Sequence, residues 1–310
     1  MRNASHRLAL LALISVAAAG CGSAGQRAAT TTPTPSPRPA VTAAATSGAT
    51  LIIGSLAVDP RDDALLAATD RGLFRVEAGG GTAQRIAGEF RAQGGSGPVS
   101  SSLIVSFAGP GELFASGHPD TSGTPLPANL GLIRSQDGGV TWTPVSQFGA
   151  ADFHGLQAAG STVVAFQPDQ PLISVSADAG RTFEIRPAPA AAVDIAFEPG
   201  RPERMALTTE EGLYTSADGG ESWRLRDTSG TEQLAWAASG ELVSVDGDGV
   251  VRVSRDGGER WERRGSTGAP VLDLAGDAHG DLYAAPAGAE ILRSSDGGAS
   301  WKRYAALTDR

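Results

Sequence analysis

The chain is 310 residues long, rich in glycine (41) and acidic, with 34 Asp and Glu against 25 Lys and Arg and a net charge of −9. That balance does not suit a nucleic-acid binder, which displaces counterions with a basic surface, nor a polybasic membrane-surface protein. A single cysteine excludes an internal disulfide framework and any multi-cysteine zinc site, while the length is ample for one large all-β domain.

Arg2 and Arg7 precede an apolar run from Leu8 to Ala19, broken only by Ser15. A positive start, a short apolar stretch and small residues predict a signal peptide over 1–20, too short for a comfortable membrane span. Its end, Ala18-Ala19-Gly20-Cys21, resembles the bacterial lipobox. That resemblance implies cleavage before Cys21, diacylation of its thiol and stable anchoring to the bacterial membrane by several acyl chains. Residues 21–49 are Ala, Thr, Ser, Gly and Pro, including Thr-Thr-Thr-Pro-Thr-Pro-Ser-Pro. No apolar periodicity repays the ordering entropy, so a disordered, extended tether is expected.

From 50 to 310 one pattern recurs: Ser-x-Asp-x-Gly-x-x-aromatic. It begins at Ser135, Ser176, Ser216, Ser254 and Ser294; its aspartates are Asp137, Asp178, Asp218, Asp256 and Asp296; its aromatics are Trp142, Phe183, Trp223, Trp261 and Trp301. The spacing is close to forty residues throughout. Carboxylate and hydroxyl accept backbone N–H groups of a tight turn, the glycines supply angles that a Cβ resists, and the aromatic wedges into a core. Between these octamers stand short apolar runs bounded by Gly, Asp and Pro, as in Val271–Ala275, Asp281–Ala285 and Glu290–Arg293.

The octamers resemble the Asp-box, or BNR repeat, of sialidase-like β-propellers. The resemblance implies four-stranded antiparallel blades, Asp-box turns between third and fourth strands, a structural role for the five aspartates and a ligand face on the opposite side. Blades are expected over 50–90, 99–147, 150–187, 190–227, 230–264 and 269–306, with seven blades as the alternative. The first blade carries a decayed turn, Gly79-Gly80-Gly81 with Ala78 in the Asp slot, and the second an insertion at about 117–129. Arg260 replaces the Thr or Ser that precedes the aromatic elsewhere, which predicts a looser fourth turn.

Two stretches, Ala-Ser-Gly-His-Pro at 115–119 and Asp-Phe-His-Gly-Leu at 152–156, look like a group of bacterial lipid-anchored, glycosyl-hydrolase-like Asp-box proteins. That group carries histidines on its first inner strand, where this chain has Ile52 and Gly54. His118, Asp120, Asp152 and His154 are expected to form a polar cluster between blades two and three, with a metal at His118 and His154 as one reading and loop stiffening as the other. Aligning inner strands puts Ser55, Ile104, Gly155, Asp194, Gln233 and Asp273 at one level. Asp152, Asp194, Glu232 and Asp273 are the catalytic candidates, because glycoside hydrolysis needs two carboxylates at a set separation. His118, Asp120, Asp152, His154, Asp194 and Gln233 are the ligand-binding candidates. The sialidase set itself is missing: the region of its first arginine reads Leu51-Ile52-Ile53-Gly54, and the repeat places Tyr214, Tyr283 and Tyr304 away from the channel mouth. The expectation is a monomeric scaffold for an envelope protein or glycan, in contact with the membrane only through its lipid, with no nucleic-acid partner and no cofactor. A glycoside hydrolase is the alternative.

Overall fold

The computed structural model describes residues 51–92, 95–120 and 124–308. The predicted signal peptide, Cys21 and the tether lie outside the described residues. Every regular element in those residues is a β-strand. Six sheets each contain an antiparallel meander of four strands taken in chain order. Their first strands are Ile53–Val58, Leu103–Gly109, Gly155–Ala159, Ala192–Glu198, Thr231–Trp236 and Val271–Gly276. Each of these lies against the next, and the last lies against the first, so the sheets close a ring around an axis. The molecule is a six-bladed β-propeller.

The second strands show why the sequence folds this way. Ala64 to Ala68 is an unbroken apolar run, the mark of a strand covered on both faces. Side chains alternate: Leu66 and Ala68 enter the core shared with blade two, whereas Leu65 and Ala67 enter the core shared with blade six. Each of the six blade-to-blade seams has its own apolar cluster, so the ring is held by six small cores in place of one central core.

The five octamers form one turn, repeated. In each, the serine Oγ accepts the N–H of the second glycine-slot residue, as from Gly139 at 2.8 Å and Gly180 at 2.9 Å, and donates to the aspartate. The aspartate Oδ1 accepts the N–H four residues on, from Thr141, Thr182, Ser222, Arg260 and Ser300, at 2.8–2.9 Å. Bonds from the Thr182 backbone and hydroxyl hold the Asp178 carboxyl down at about 2, and the Ser222 and Ser300 hydroxyls and backbones do the same for Asp218 and Asp296. The fourth turn is no looser than the rest. Arg260 keeps the backbone bond at 2.8 Å, and its guanidinium stands 3.6 Å from the carboxylate where a hydroxyl sits elsewhere. These turns are solvent-facing, so Asp137→Ala should cost only about 1 kcal/mol, read as a shift of the urea midpoint with an unchanged slope.

Chain segments near the first blade depart from the expected boundaries. The glycine turn after Leu73–Val76 does replace an octamer, but Gly81–Thr82 then pairs parallel with Lys302–Ala306, the outer strand of blade six. Only afterwards does Gln84–Ile86 complete blade one. Next, Glu89–Ala92 and Gly95–Pro98 form a hairpin that adds to the outer edge of blade two, with Phe90 opposite Trp142. Phe90 is buried and stacks on Phe148, ring centroids 5.3 Å apart.

Candidate functional site

In such a meander the first-to-second and third-to-fourth turns share one end of the blade, and the second-to-third turns and the links between blades share the other. The repeated Asp turns therefore all lie on one face. His118, in the second-to-third link of blade two, and His154, in the link entering blade three, lie on the opposite face. His279 belongs to the Asp-turn face, where its Nε2 meets Asp63 of blade one at 3.1 Å across the point of ring closure.

The loop face is acidic. Among the described residues, the second-to-third turns and inter-blade links carry seven carboxylates against one guanidinium, Arg71, which lies 3.8 Å from Asp70. At the channel mouth, the pairing register slips by one residue in four blades, extruding Gly54, Val193, Glu232 and Leu272 at the same step. His154, whose N–H bonds the Phe166 carbonyl, stands at that step in blade three. Leu272 and neighbouring Ile52 are 39% and 37% exposed, so the mouth is apolar on the side of blades six and one. Sequence reasoning missed this apolar edge, although Ile52 and Leu272 stand at the start of two aligned inner strands.

One rung deeper, the registers pair Ser55 with Ala68, Ile104 with Ser116, Gly155 with Phe166, Asp194 with Thr208, Gln233 with Val245 and Asp273 with Ala285. These are the six residues expected at one level. Gly155 has no side chain because the Phe166 ring fills the place of its Cβ, at 1.9 Å. Polar members of the ring reach across the seams. Ser55 Oγ accepts the Val105 N–H at 3.1 Å, Asp194 Oδ2 that of Leu234 at 2.7 Å, and Asp273 Oδ2 that of Leu56 at 2.5 Å. Each partner belongs to the following blade, and Asp273 thereby latches the last blade to the first.

The two carboxylates are half-buried in the wall of the channel, surrounded by densely packed protein. Burial pushes the Asp273 carboxyl up to about 7 against the bonds from Leu56 and Leu274. Burial, with the like charge of Asp273 second, raises Asp194 well above the usual carboxylate range, against bonds from Leu234 and Ile195.

The second cluster lies at the seam between blades two and three. Asp152 Oδ2 is 3.2 Å from His154 Nε2, and its Oδ1 is 3.5 Å from His118 Nε2. His118 Nδ1 bonds the Ala128 carbonyl at 2.8 Å. Asp120 is not part of this group. Its carboxylate accepts both backbone N–H groups and both hydroxyls of Ser100 and Ser101, at 2.7–2.9 Å, and so fastens the insertion to the start of blade two. Among the described residues no set of three His, Cys, Asp or Glu is arranged to hold a metal ion. Ser116, which sequence reasoning did not single out, is fully buried with its hydroxyl unpartnered. Its signal in the sequence is a hydroxyl in a slot that Ala68, Phe166, Val245 and Ala285 fill in four other blades and that only Thr208 in blade four shares.

No protein-family model matches this chain, and no curated protein matches it. Solved structures do. YCF48 bound to D1 peptide is 18% identical, with 83% of each chain covered and a TM-score of 0.51. An ancestral GH74 enzyme is 12% identical with a TM-score of 0.53; 83% of this chain is covered, but only 40% of the enzyme. YCF48 from Cyanidioschyzon merolae is 17% identical over 83% and 86%, with a TM-score of 0.49. What this chain shares with the first two is the propeller fold. At these identities the shared fold leaves the activity open.

Proposed function

We propose that this chain is a lipid-anchored, extracytoplasmic member of the Asp-box propellers. Its loop face serves as a binding or assembly scaffold for an envelope protein or carbohydrate. The lipobox-like Cys21 and the tether support the location, and the five octamer turns support the family. The observation that carries the binding role is how the polar groups are used. The axial carboxylates Asp194 and Asp273 are committed to backbone N–H groups of neighbouring blades, whereas Asp152, His118 and His154 open onto the loop face, across the channel mouth from the apolar edge at Leu272 and Ile52. A propeller of the same fold holding a peptide, as in the YCF48 complex, is consistent with that use.

A glycoside hydrolase is the second reading. The likeness to a GH74 enzyme supports it, as does the Asp273 carboxyl, which retains its proton close to neutrality as a general acid must. A panel of envelope glycans, aryl glycosides and peptides separates the two. The scaffold reading expects saturable binding to a glycan or peptide without release of any aglycone, and binding that survives Asp273→Asn. Turnover that vanishes in Asp273→Asn would carry the enzyme reading instead.

A further inference from the structure

On the side of blades six and one the channel mouth presents exposed aliphatic side chains that are fixed in place. The register slip in blade six extrudes Leu272, at the same step as Glu232 in blade five and Gly54 in blade one. Ile52 lies two residues before Gly54. Its N–H reaches Asp70 Oδ1 at 3.0 Å and its carbonyl accepts the Asp70 N–H at 3.1 Å, so the exposed side chain is pinned where it stands. A Cβ at Gly54 would meet nothing within 4 Å, which leaves the mouth open at this step. The second-to-third turn of blade six, Ala287-Gly288-Ala289, brings no charge. The neighbouring blade five is acidic at the same edge. Glu232 is exposed, and its Oε1 comes within 2.9 Å of the place a Cβ would take on Gly247. That sets the carboxylate over the turn carrying the exposed Asp248. Arg252 of the same blade is spent on Asp246 at 3.2 Å and on the Ser229 hydroxyl. Among the described residues neither Glu232 nor Asp248 has an ion-pair partner.

We propose that this half of the mouth docks an extended segment of a polypeptide partner, with an aliphatic side chain on Ile52 and Leu272 and a lysine on Glu232 and Asp248. In an extended chain, residues i and i+2 face the same way about 7 Å apart, so one short segment serves adjoining blades. Charge complementarity selects the lysine, because the loop face carries seven carboxylates against one guanidinium. The lysine's methylenes can cover apolar surface while its ammonium stays among the carboxylates. The aliphatic neighbour covers side chains that nothing else in the fold covers. This assignment rests on the scaffold reading and names its partner class.

Isoleucine and leucine methyl resonances of the mature protein read the contact directly. The probe is acetyl-Leu-Gly-Lys-amide, with acetyl-Leu-Gly-Gln-amide and acetyl-Ser-Gly-Lys-amide in parallel. The expected result is saturable shifts at Ile52 and Leu272 in roughly the millimolar range. Ile185 and Leu225, exposed on the outer strands of blades three and four, should not move. The Gln peptide should bind about threefold more weakly and the Ser peptide about tenfold more weakly. With Glu232→Gln and Asp248→Asn combined, the Lys and Gln peptides should bind equally, at an unchanged melting temperature. Equal binding of the two peptides to the native chain, parallel movement of Ile185 and Leu225, or no shift up to about 50 mM would overturn the assignment. Should the probe fail while a panel ligand still binds and is lost on Glu232→Arg, the scaffold reading stands and only the partner class falls.

Discussion

Between pH 5 and pH 8 the melting temperature of this propeller should fall by roughly 5–10 °C, the reverse of what most carboxylate-rich domains do. The cause is Asp273, helped by Asp194. A free aspartate titrates near 3.8, but enclosure in the channel holds the folded Asp273 proton until about pH 7. The folded state therefore favours the protonated group. Its stabilising effect is complete below about pH 4, declines as pH rises through 7 and is gone above that. Asp194 shifts in the same direction. The turn aspartates act oppositely. Asp178, Asp218 and Asp296 sit near 2 in the folded chain, so their contribution is present above about pH 4 and is lost as pH falls towards 2. The two sets together place the stability maximum at about pH 4–5. Asp273→Asn keeps an acceptor for the Leu56 N–H without the buried charge, so it should raise stability at pH 8 by a few kcal/mol and flatten the slope. Melting curves at half-unit pH intervals check this; a temperature that is level or rising from pH 5 to pH 8 contradicts it.

Trp142→Ala should be the most damaging of the turn-aromatic substitutions, at about 3–5 kcal/mol and roughly 10 °C in melting temperature. Trp142 is fully buried, and its Nε1 donates to the Gly139 carbonyl at 2.8 Å. The extra hairpin carrying Phe90 pairs alongside its strand, so the substitution empties a cavity and loosens a six-stranded sheet together. Trp223 and Trp301 occupy the same turn slot but are only partly buried, and their Nε1 groups have no partner. Trp223→Phe removes an unsatisfied donor and should cost less than about 1 kcal/mol. Urea denaturation followed by circular dichroism ranks the variants. A loss below about 1.5 kcal/mol for Trp142→Ala, or a larger one for Trp223→Ala, would show that the hairpin does not clamp blade two.

The features that sequence carried well are those repeated at the period of one blade. The five octamers each report the same turn, so the repeat and the insertion before Leu132 follow from spacing, the face the turns occupy follows from the Asp-box resemblance, and the ring through Asp194 and Asp273 follows from aligning inner strands. Contacts outside that period were not legible. Gly81–Thr82 is two residues long and pairs with Ala305 and Ala306, more than two hundred residues away, so no alternation announces it. Phe90 likewise meets its partner Trp142 across a parallel pairing that no local turn signals. Asp120 and Asp152 look equally suited to a ligand as residue types. What separates them is that Ser100 and Ser101 consume one, while the other stands between the His118 and His154 rings. The axial aspartates read as a catalytic pair because spacing shows their level but not the N–H groups they hold.

The central claim is that the working surface is the face opposite the repeated turns, and two charge reversals test it most directly. Glu232→Arg alters the channel mouth, and Glu221→Arg alters an exposed position in the Asp218 turn on the far side. Against the tightest ligand from the glycan and peptide panel, the first should weaken binding by about tenfold or more, and the second by less than about twofold. The opposite order, with Glu221→Arg abolishing binding and Glu232→Arg leaving it intact, would place the partner on the turn face and contradict the account.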